Sequence, residues 1–133
     1  MYGELASRLL HYTEQIGQGR GYGDGVVFHV HLPHREAFSP DAAYHIGPRM
    51  GMRFASGAPI FAVEVRSEND CGPAAERAMA AKRADYFACG TLIVWDVDLL
   101  SPDVIKSYHA NAPDRPVIFR LGDMADAEPA VPG

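Results

Sequence analysis

The feature that most constrains the fold is a short apolar run that contains one acid. Residues 60–66 read Ile-Phe-Ala-Val-Glu-Val-Arg, which predicts a β-strand with Glu64 set into it. An unpaired charge in an apolar interior costs several kcal/mol, so Glu64 must either stay protonated or meet a cation. Because side chains alternate along a strand, Glu64 shares its face with Arg66 and with Ala62, whose small side chain leaves space for an ion or a water.

Two neighbouring segments are predicted to bring partners to this acid. Asp41 stands after Pro40, at the head of a second short strand over residues 41–46. Residues 74–89 are rich in alanine and predict a helix, with proline just before them and Gly90 as the stop signal.

One stripe of the predicted helix is apolar enough to pack on a sheet. It is formed, at spacings of four, three, four and three, by Ala75, Met79, Lys82, Tyr86 and Cys89. The amine of Lys82 could extend outward to solvent, or it could turn toward the acids and stay charged beside them. Arg77 and Arg83 lie off the stripe and are predicted to face solvent.

The remaining pattern predicts an α/β fold. An amphipathic helix is expected over residues 2–16, a loop over 47–59, and strands 60–66 and 91–97 are expected to be parallel and joined by the helix. The other predicted strands are 26–32, 41–46, 104–108 and 116–120. We therefore expect residues 1–133 to form one domain with a mixed sheet flanked by helices and a loose tail from about residue 122.

Composition narrows the class of protein. A hydrophobic content of 47% with 22% charged residues is that of a globular domain, and the longest apolar runs, about seven residues, are far short of the ~20 that span a membrane. Cys71 and Cys89 flank the predicted helix and stand too far apart to bridge, so we expect free thiols and a cytoplasmic location. The net charge of −5 argues against a basic nucleic-acid coat protein, although an acidic metal site also lowers formal charge.

The acids and the lysine together suit metal-dependent phosphodiester hydrolysis. Magnesium is held by one or two carboxylates with waters retained, and a bound metal polarises the phosphate and activates a water. In this interpretation Asp41, Glu64 and the backbone carbonyl of Val65 hold Mg²⁺ or Mn²⁺. Lys82 acts as general base or as electrostatic partner of the transition state.

A second metal site is conceivable on the strand over residues 26–32. His29 and His31 share one face of that strand, and His34 follows. No cysteine or carboxylate sits at ligand spacing, so a solvated strand face is the simpler interpretation.

Four segments carry a resemblance to a known family. They are Ser39-Pro40-Asp41, Phe-Ala-Val-Glu64-Val-Arg66-Ser67-Glu-Asn-Asp70, Lys82-Arg-Ala-Asp-Tyr86-Phe-Ala-Cys-Gly90, and Ile-Val-Trp95-Asp-Val-Asp. Their order and spacing resemble the Uma family, bacterial restriction-endonuclease-like proteins of the PD-(D/E)xK nuclease superfamily.

The resemblance implies a restriction-endonuclease-like core, a divalent metal, DNA as the partner, and Asp41, Glu64 and Lys82 as the active triad. The chain departs from the superfamily pattern two positions after Glu64, where Arg66 replaces lysine. The lysine has moved to the helix as Lys82, and Arg66 is the alternative source of the cation. Ser67 and Tyr86 match family positions and are expected to play supporting roles, although capping and packing explain them equally well.

Three hypotheses follow from the sequence. The first is a magnesium-dependent DNA endonuclease, for which an edge strand and the acidic tail leave room for a homodimer. The second is a binding or regulatory module that keeps the nuclease fold without cutting, which the acidic net charge favours. In the third, the two acids and the lysine form a purely structural ion-pair network.

Overall fold

The computed structural model describes residues 20–23, 25–46, 54–66, 72–98 and 105–119. The predicted helix over residues 2–16, Ser67, Cys71 and the tail from residue 122 lie outside these ranges. The described elements are β1 (Arg20–Tyr22), β2 (Val27–Leu32), β3 (Arg35–Phe38), β4 (Ala42–His45), β5 (Phe54–Ser56), β6 (Phe61–Val65), α1 (Pro73–Ala88), β7 (Ile93–Val97), β8 (Ile105–His109) and β9 (Ala112–Phe119).

A six-stranded mixed sheet forms the centre of the described structure, with the strand order β1-β4-β6-β7-β8-β9. The β6–β7 pair is parallel and its neighbours are antiparallel, as predicted for two strands joined by a helix. All five residues of β7 are buried, including Asp96, the one acid in an otherwise apolar strand. The predicted mixed α/β fold class is confirmed.

A second sheet of three strands, in the order β3-β2-β5, was not predicted. The segment over residues 47–59, predicted as a loop, contains β5, which pairs in parallel with β2. The four residues of β3 follow a tight turn and pair antiparallel with β2. Strands of three or four residues carry too little periodicity to be seen in the sequence, because their partners specify them.

The two faces of the central sheet have separate cores. Phe61 and Val63 of β6 belong to one buried cluster together with Trp95. Ala62 belongs to a second cluster that also holds Tyr86 of α1. The predicted alternation along β6 is therefore confirmed, and it places the Glu64 side chain on the face that α1 covers.

The helix lies within one residue, at each end, of the range 74–89 that its end signals predict. It begins with Pro73 at the first position, where the missing N–H costs no helical hydrogen bond. It ends at Ala88, and Gly90 follows with a φ of 100°, a left-handed conformation that glycine adopts without strain. No helix in the described ranges is long and apolar enough to cross a bilayer.

Polar and aromatic contacts fasten the second sheet to the helix. Oδ2 of Asp85, on α1, accepts a 2.7 Å hydrogen bond from Nε of Arg35, and Oδ1 lies 2.8 Å from Nε2 of His34. His34 and Arg35 are neighbours at the β2–β3 turn. The Phe38 ring stacks on the Tyr86 ring with centroids 3.9 Å apart. The second sheet thus fixes the position of Tyr86 against the central sheet.

The Asp85 contacts predict an acid-sensitive contribution to stability. Burial opposes ionisation of Asp85, but the hydrogen bonds from Arg35 and His34 outweigh it and lower the pKa of this carboxyl below its ordinary value of 3.8. A lowered folded-state pKa gives stability that is complete above the ordinary value and is lost as the pH falls through the lowered one. Near neutral pH, Asp85→Asn is expected to lower the free energy of unfolding by about 2 kcal/mol.

This difference from wild type should shrink in urea unfolding curves recorded at successively lower pH below 3.8. Asp114→Asn, at an exposed position on the edge strand β9, serves as the control and should leave stability nearly unchanged. A difference for Asp85→Asn that is independent of pH would contradict this account.

Candidate active site

Glu64 is held by two side chains from one face of α1. Nζ of Lys82 lies 2.8 Å from Oε1 of Glu64, and the Tyr86 hydroxyl donates a hydrogen bond of 2.7 Å to the same oxygen. Lys82 and Tyr86 are four residues apart on the helix and therefore point the same way. The structure thus brings together the strand acid and the helix amine that the sequence singled out, and the amine turns inward.

Asp41 lies beside Glu64 across the β4–β6 pair. Its backbone N–H donates to the Val63 carbonyl at 2.9 Å, and its Oδ2 accepts a 2.7 Å hydrogen bond from the Val65 N–H. These two hydrogen bonds flank Glu64, just beyond the pairing of Ala42 with Val63. The Asp41 carboxylate is close enough for its charge to raise the pKa of Glu64.

The electrostatic balance around Glu64 is short of positive charge. Burial raises the pKa of Glu64; Lys82 and the Tyr86 hydroxyl counteract this, and the nearby Asp41 raises it further. Burial, followed by the charge and hydrogen bond of Glu64, raises the pKa of Tyr86, so the phenol remains a proton donor. One lysine therefore faces two carboxylates, an arrangement that a further cation would stabilise.

The residues present fit a hard divalent cation. The described hydrogen bonds use Oε1 of Glu64 and Oδ2 of Asp41, which leaves the second oxygen of each carboxylate for a ligand bond. In the described part of the chain no three His, Cys, Asp or Glu side chains are grouped to hold a metal. Two carboxylates completed by waters, backbone oxygen or substrate phosphate suit magnesium in particular. Because no such group of three is found in the described ranges, the structure gives no support to a metal site at His29, His31 and His34.

A second charged cluster lies next to the first and was not predicted. Asp96 of β7 pairs in register with Glu64 and is only 2% exposed. Arg66 donates two hydrogen bonds to Asp96, from Nε to Oδ1 at 2.8 Å and from Nη2 to Oδ2 at 2.6 Å. Arg66 also donates to Glu76 of α1. Hydrogen bonds to Asp96 and then to Glu76 raise the pKa of Arg66, and the hydrogen bond from Arg66 lowers the pKa of Glu76.

The contacts of Arg66 and Lys82 indicate which of the two basic side chains pairs with Glu64. The described contacts of the Arg66 guanidinium go to Asp96 and Glu76, whereas Lys82 contacts Glu64. A signal for Asp96 was present in the sequence, because it too is an acid set into an apolar strand. The same argument that singled out Glu64 would have found it.

The prediction that Arg83 faces solvent is wrong. Its side chain is only 14% exposed, its guanidinium lies 3.9 Å from the centroid of the Tyr108 ring, and its Nη1 is 3.6 Å from Oδ2 of Asp96. Tyr108 pairs with Val94 across β7 and β8, on the sheet face that α1 covers. The sheet extends beyond the helix stripe, so a long side chain beside that stripe still packs on it. Arg77 is exposed, as predicted.

A cavity of about 130 Å³ opens between α1 and the central sheet and collects these groups. Its polar lining is Glu64, Lys82, Arg83, Tyr86 and Asp96, and its other lining residues are Val65, Met79 and Val94. Such a concave site, with convergent charged groups and perturbed pKa values, is where chemistry is expected.

The described residues form a mixed α/β fold in which a helix lysine contacts a strand carboxylate, as expected for a restriction-endonuclease-like protein. The family model described as "Putative restriction endonuclease" matches residues 2–133, and the chain therefore belongs to the Uma2 family. The fold is similar to the crystal structure of "a putative nuclease belonging to DUF820" from Anabaena variabilis ATCC 29413. That match has a TM-score of 0.72 at 16% identity and covers 98% of this chain and 70% of the other. A search of curated proteins finds no match.

The contacts of Lys82 predict strong energetic coupling with Glu64. Lys82→Met leaves a carboxylate charged and partly buried beside Asp41, and should lower the free energy of unfolding by about 2 kcal/mol in metal-free buffer at neutral pH. Adding Glu64→Gln removes the uncompensated charge, so the double variant should be at least as stable as wild type. Urea unfolding of the four proteins of this double-mutant cycle measures the coupling.

Arg77→Met removes a positive charge from the exposed side of the same helix and should change stability by less than about 0.5 kcal/mol. If the losses from Lys82→Met and Glu64→Gln simply added, the two side chains would not be coupled and the contact would carry no energy.

Proposed function

We propose that this protein is a magnesium-dependent endonuclease that hydrolyses phosphodiester bonds in DNA. The family description and the fold of the Anabaena neighbour support a nuclease. The observation that carries the proposal is that Lys82 and Tyr86 both contact Glu64 at the wall of the cavity, with Asp41 beside it. Two carboxylates that can bind a metal, together with a nearby amine, are the groups that metal-assisted hydrolysis needs.

Asp41 and Glu64 would hold the cation, Mg²⁺ or Mn²⁺, and the backbone carbonyl of Val65 is the third proposed ligand. When bound, the metal would polarise the phosphate and lower the pKa of a coordinated water. The chain contributes orientation, since the Val65 N–H holds Asp41 and the Tyr86 hydroxyl holds Glu64. Both carboxylates are therefore fixed before any ligand arrives.

Lys82 is the residue that we assign to proton handling and charge. Its ammonium lines the cavity and lies beside Glu64. As the ammonium it would orient the attacking water and offset the charge that develops on the phosphoryl oxygens, whereas only its neutral amine form would accept a proton from that water. Tyr86, held in place by the Phe38 stack, acts as a positioning residue for Glu64.

The other predicted residues take supporting roles. Arg66 would neutralise Asp96 and hold β6 and β7 to the start of α1 through Glu76. The supporting role of Ser67 stays a prediction, as does the homodimer. The net charge of −5 is the observation that favours the alternative, a nuclease-fold module that binds or regulates without cutting.

Incubation with supercoiled, linear and single-stranded DNA, followed by gel electrophoresis, tests the proposal. Wild type should cut with magnesium or manganese and should be inactive in EDTA. Asp41→Asn, Glu64→Gln and Lys82→Met should each lower the rate by about 100-fold or more, since each removes a cation ligand or a charge-stabilising group.

Arg77→Met should retain the wild-type rate, because its side chain is exposed and away from the cavity. Cleavage that survives Asp41→Asn and Lys82→Met unchanged would contradict the assigned site. A wild type that binds DNA without cutting it under any of these conditions would establish the non-cutting module instead.

A further inference from the structure

Arg83 presents a buried donor that its neighbours in the described part of the chain leave without an acceptor. Nη1 of Arg83 is buried and makes no hydrogen bond within the described ranges. Its closest described carboxylate oxygen, Oδ2 of Asp96, is 3.6 Å away, which is beyond hydrogen-bond length. That oxygen already accepts a 2.6 Å hydrogen bond from Arg66. Asp96 therefore pairs with Arg83 through charge alone, and the guanidinium has no carboxylate acceptor for its N–H groups in the described ranges.

The structure fixes this guanidinium in place at the cavity. It lies over the Tyr108 ring at 3.9 Å, a cation–π contact that restricts its plane. The same side chain lines the cavity with Glu64 and Lys82. A rigid guanidinium loses little conformational freedom on binding an anion and can offer a fork of N–H donors to it.

Of the two basic side chains that line the cavity in the described part of the chain, Arg83 is the one that makes no hydrogen bond to a carboxylate. Arg66 is taken up by Asp96 and Glu76, and Lys82 by Glu64. Around the cavity, the carboxylates of Asp41, Glu64, Glu76 and Asp96 stand against four basic side chains, those of Arg66, Lys82, Arg83 and Lys106. A divalent cation would make this cluster positive overall, which favours binding of a negatively charged phosphodiester.

We propose that Arg83 is a phosphate-binding residue, whose guanidinium holds a non-bridging oxygen of the nucleic-acid backbone in the cavity beside Glu64 and Lys82. This inference rests on the proposed function and adds a substrate contact to it. Arginine suits the task because its planar fork matches the geometry of phosphate oxygens.

Binding of a fluorescein-labelled duplex DNA, followed by fluorescence anisotropy over a series of NaCl concentrations, tests the inference. Calcium, a hard cation with the same preference for oxygen ligands, replaces magnesium so that binding is read without turnover. Arg83→Met should weaken binding by about 10-fold or more and should lower the slope of log K against log salt by about 0.9, the loss of one phosphate contact. Arg77→Met, the same change on the exposed side of α1, should alter neither quantity.

The phosphate contact of Arg83 and the endonuclease activity are tested separately. If wild type binds and cuts DNA while Arg83→Met matches Arg77→Met in affinity and salt slope, Arg83 holds no phosphate and the endonuclease proposal stands alone. If wild type neither binds nor cuts nucleic acid, both fail.

Circular dichroism checks that Arg83→Met is folded, because the side chain also packs on Tyr108. Should it unfold, Arg83→Lys takes its place. Lysine keeps the charge but loses the fork, so binding should weaken while the salt slope is retained. Wild-type affinity in the folded Arg83→Lys variant would then overturn the inference.

Discussion

The burial of one carboxylate in a strand governs the arrangement around it. Glu64 points from β6 toward the helix, where desolvation raises its pKa and Asp41 adds a second negative charge. An isolated charge there would be too costly, so Lys82 and the Tyr86 hydroxyl converge on the same oxygen. Tyr86 is held in turn by the ring of Phe38, which belongs to the second sheet. The second sheet therefore contributes to the site although none of its residues lines the cavity.

A second buried acid, Asp96, explains why Arg66 and Lys82 pair with different carboxylates. Asp96, beside Glu64 in register, accepts hydrogen bonds from Nε and Nη2 of Arg66, whose Nη1 donates to Glu76 on the helix. This leaves Lys82 for Glu64 and leaves Arg83 stacked on Tyr108 with an unused donor. A buried charge with a single partner is strongly destabilised when that partner is lost, so each of these pairings depends on its neighbours. The resulting site is positioned in advance, at a cost in stability that functional sites commonly carry.

The sequence predicted the parts of this structure whose signals are local. The apolar run with Glu64, the glycine stop after α1 and the stripe that carries Lys82 and Tyr86 each specify their own structure through periodicity and end signals. The sequence did not predict β3 and β5, because strands so short are specified by pairing with β2. Arg83 was wrongly predicted to face solvent for a related reason, since its packing depends on Tyr108, a residue brought near by the β7–β8 pairing. A contact between residues distant in sequence produces no periodic pattern from which it could be predicted.

The central claim is that Asp41 and Glu64 form one site for a hard cation. Manganese binding, followed by loss of the free-ion electron paramagnetic resonance signal, tests it directly and needs no substrate. Wild type should bind a single Mn²⁺ ion per chain, Asp41→Asn and Glu64→Gln should each weaken that binding severely, and Asp114→Asn, altered at an exposed position, should bind as wild type does. Equal binding by all four proteins, or binding by none, would contradict the claim.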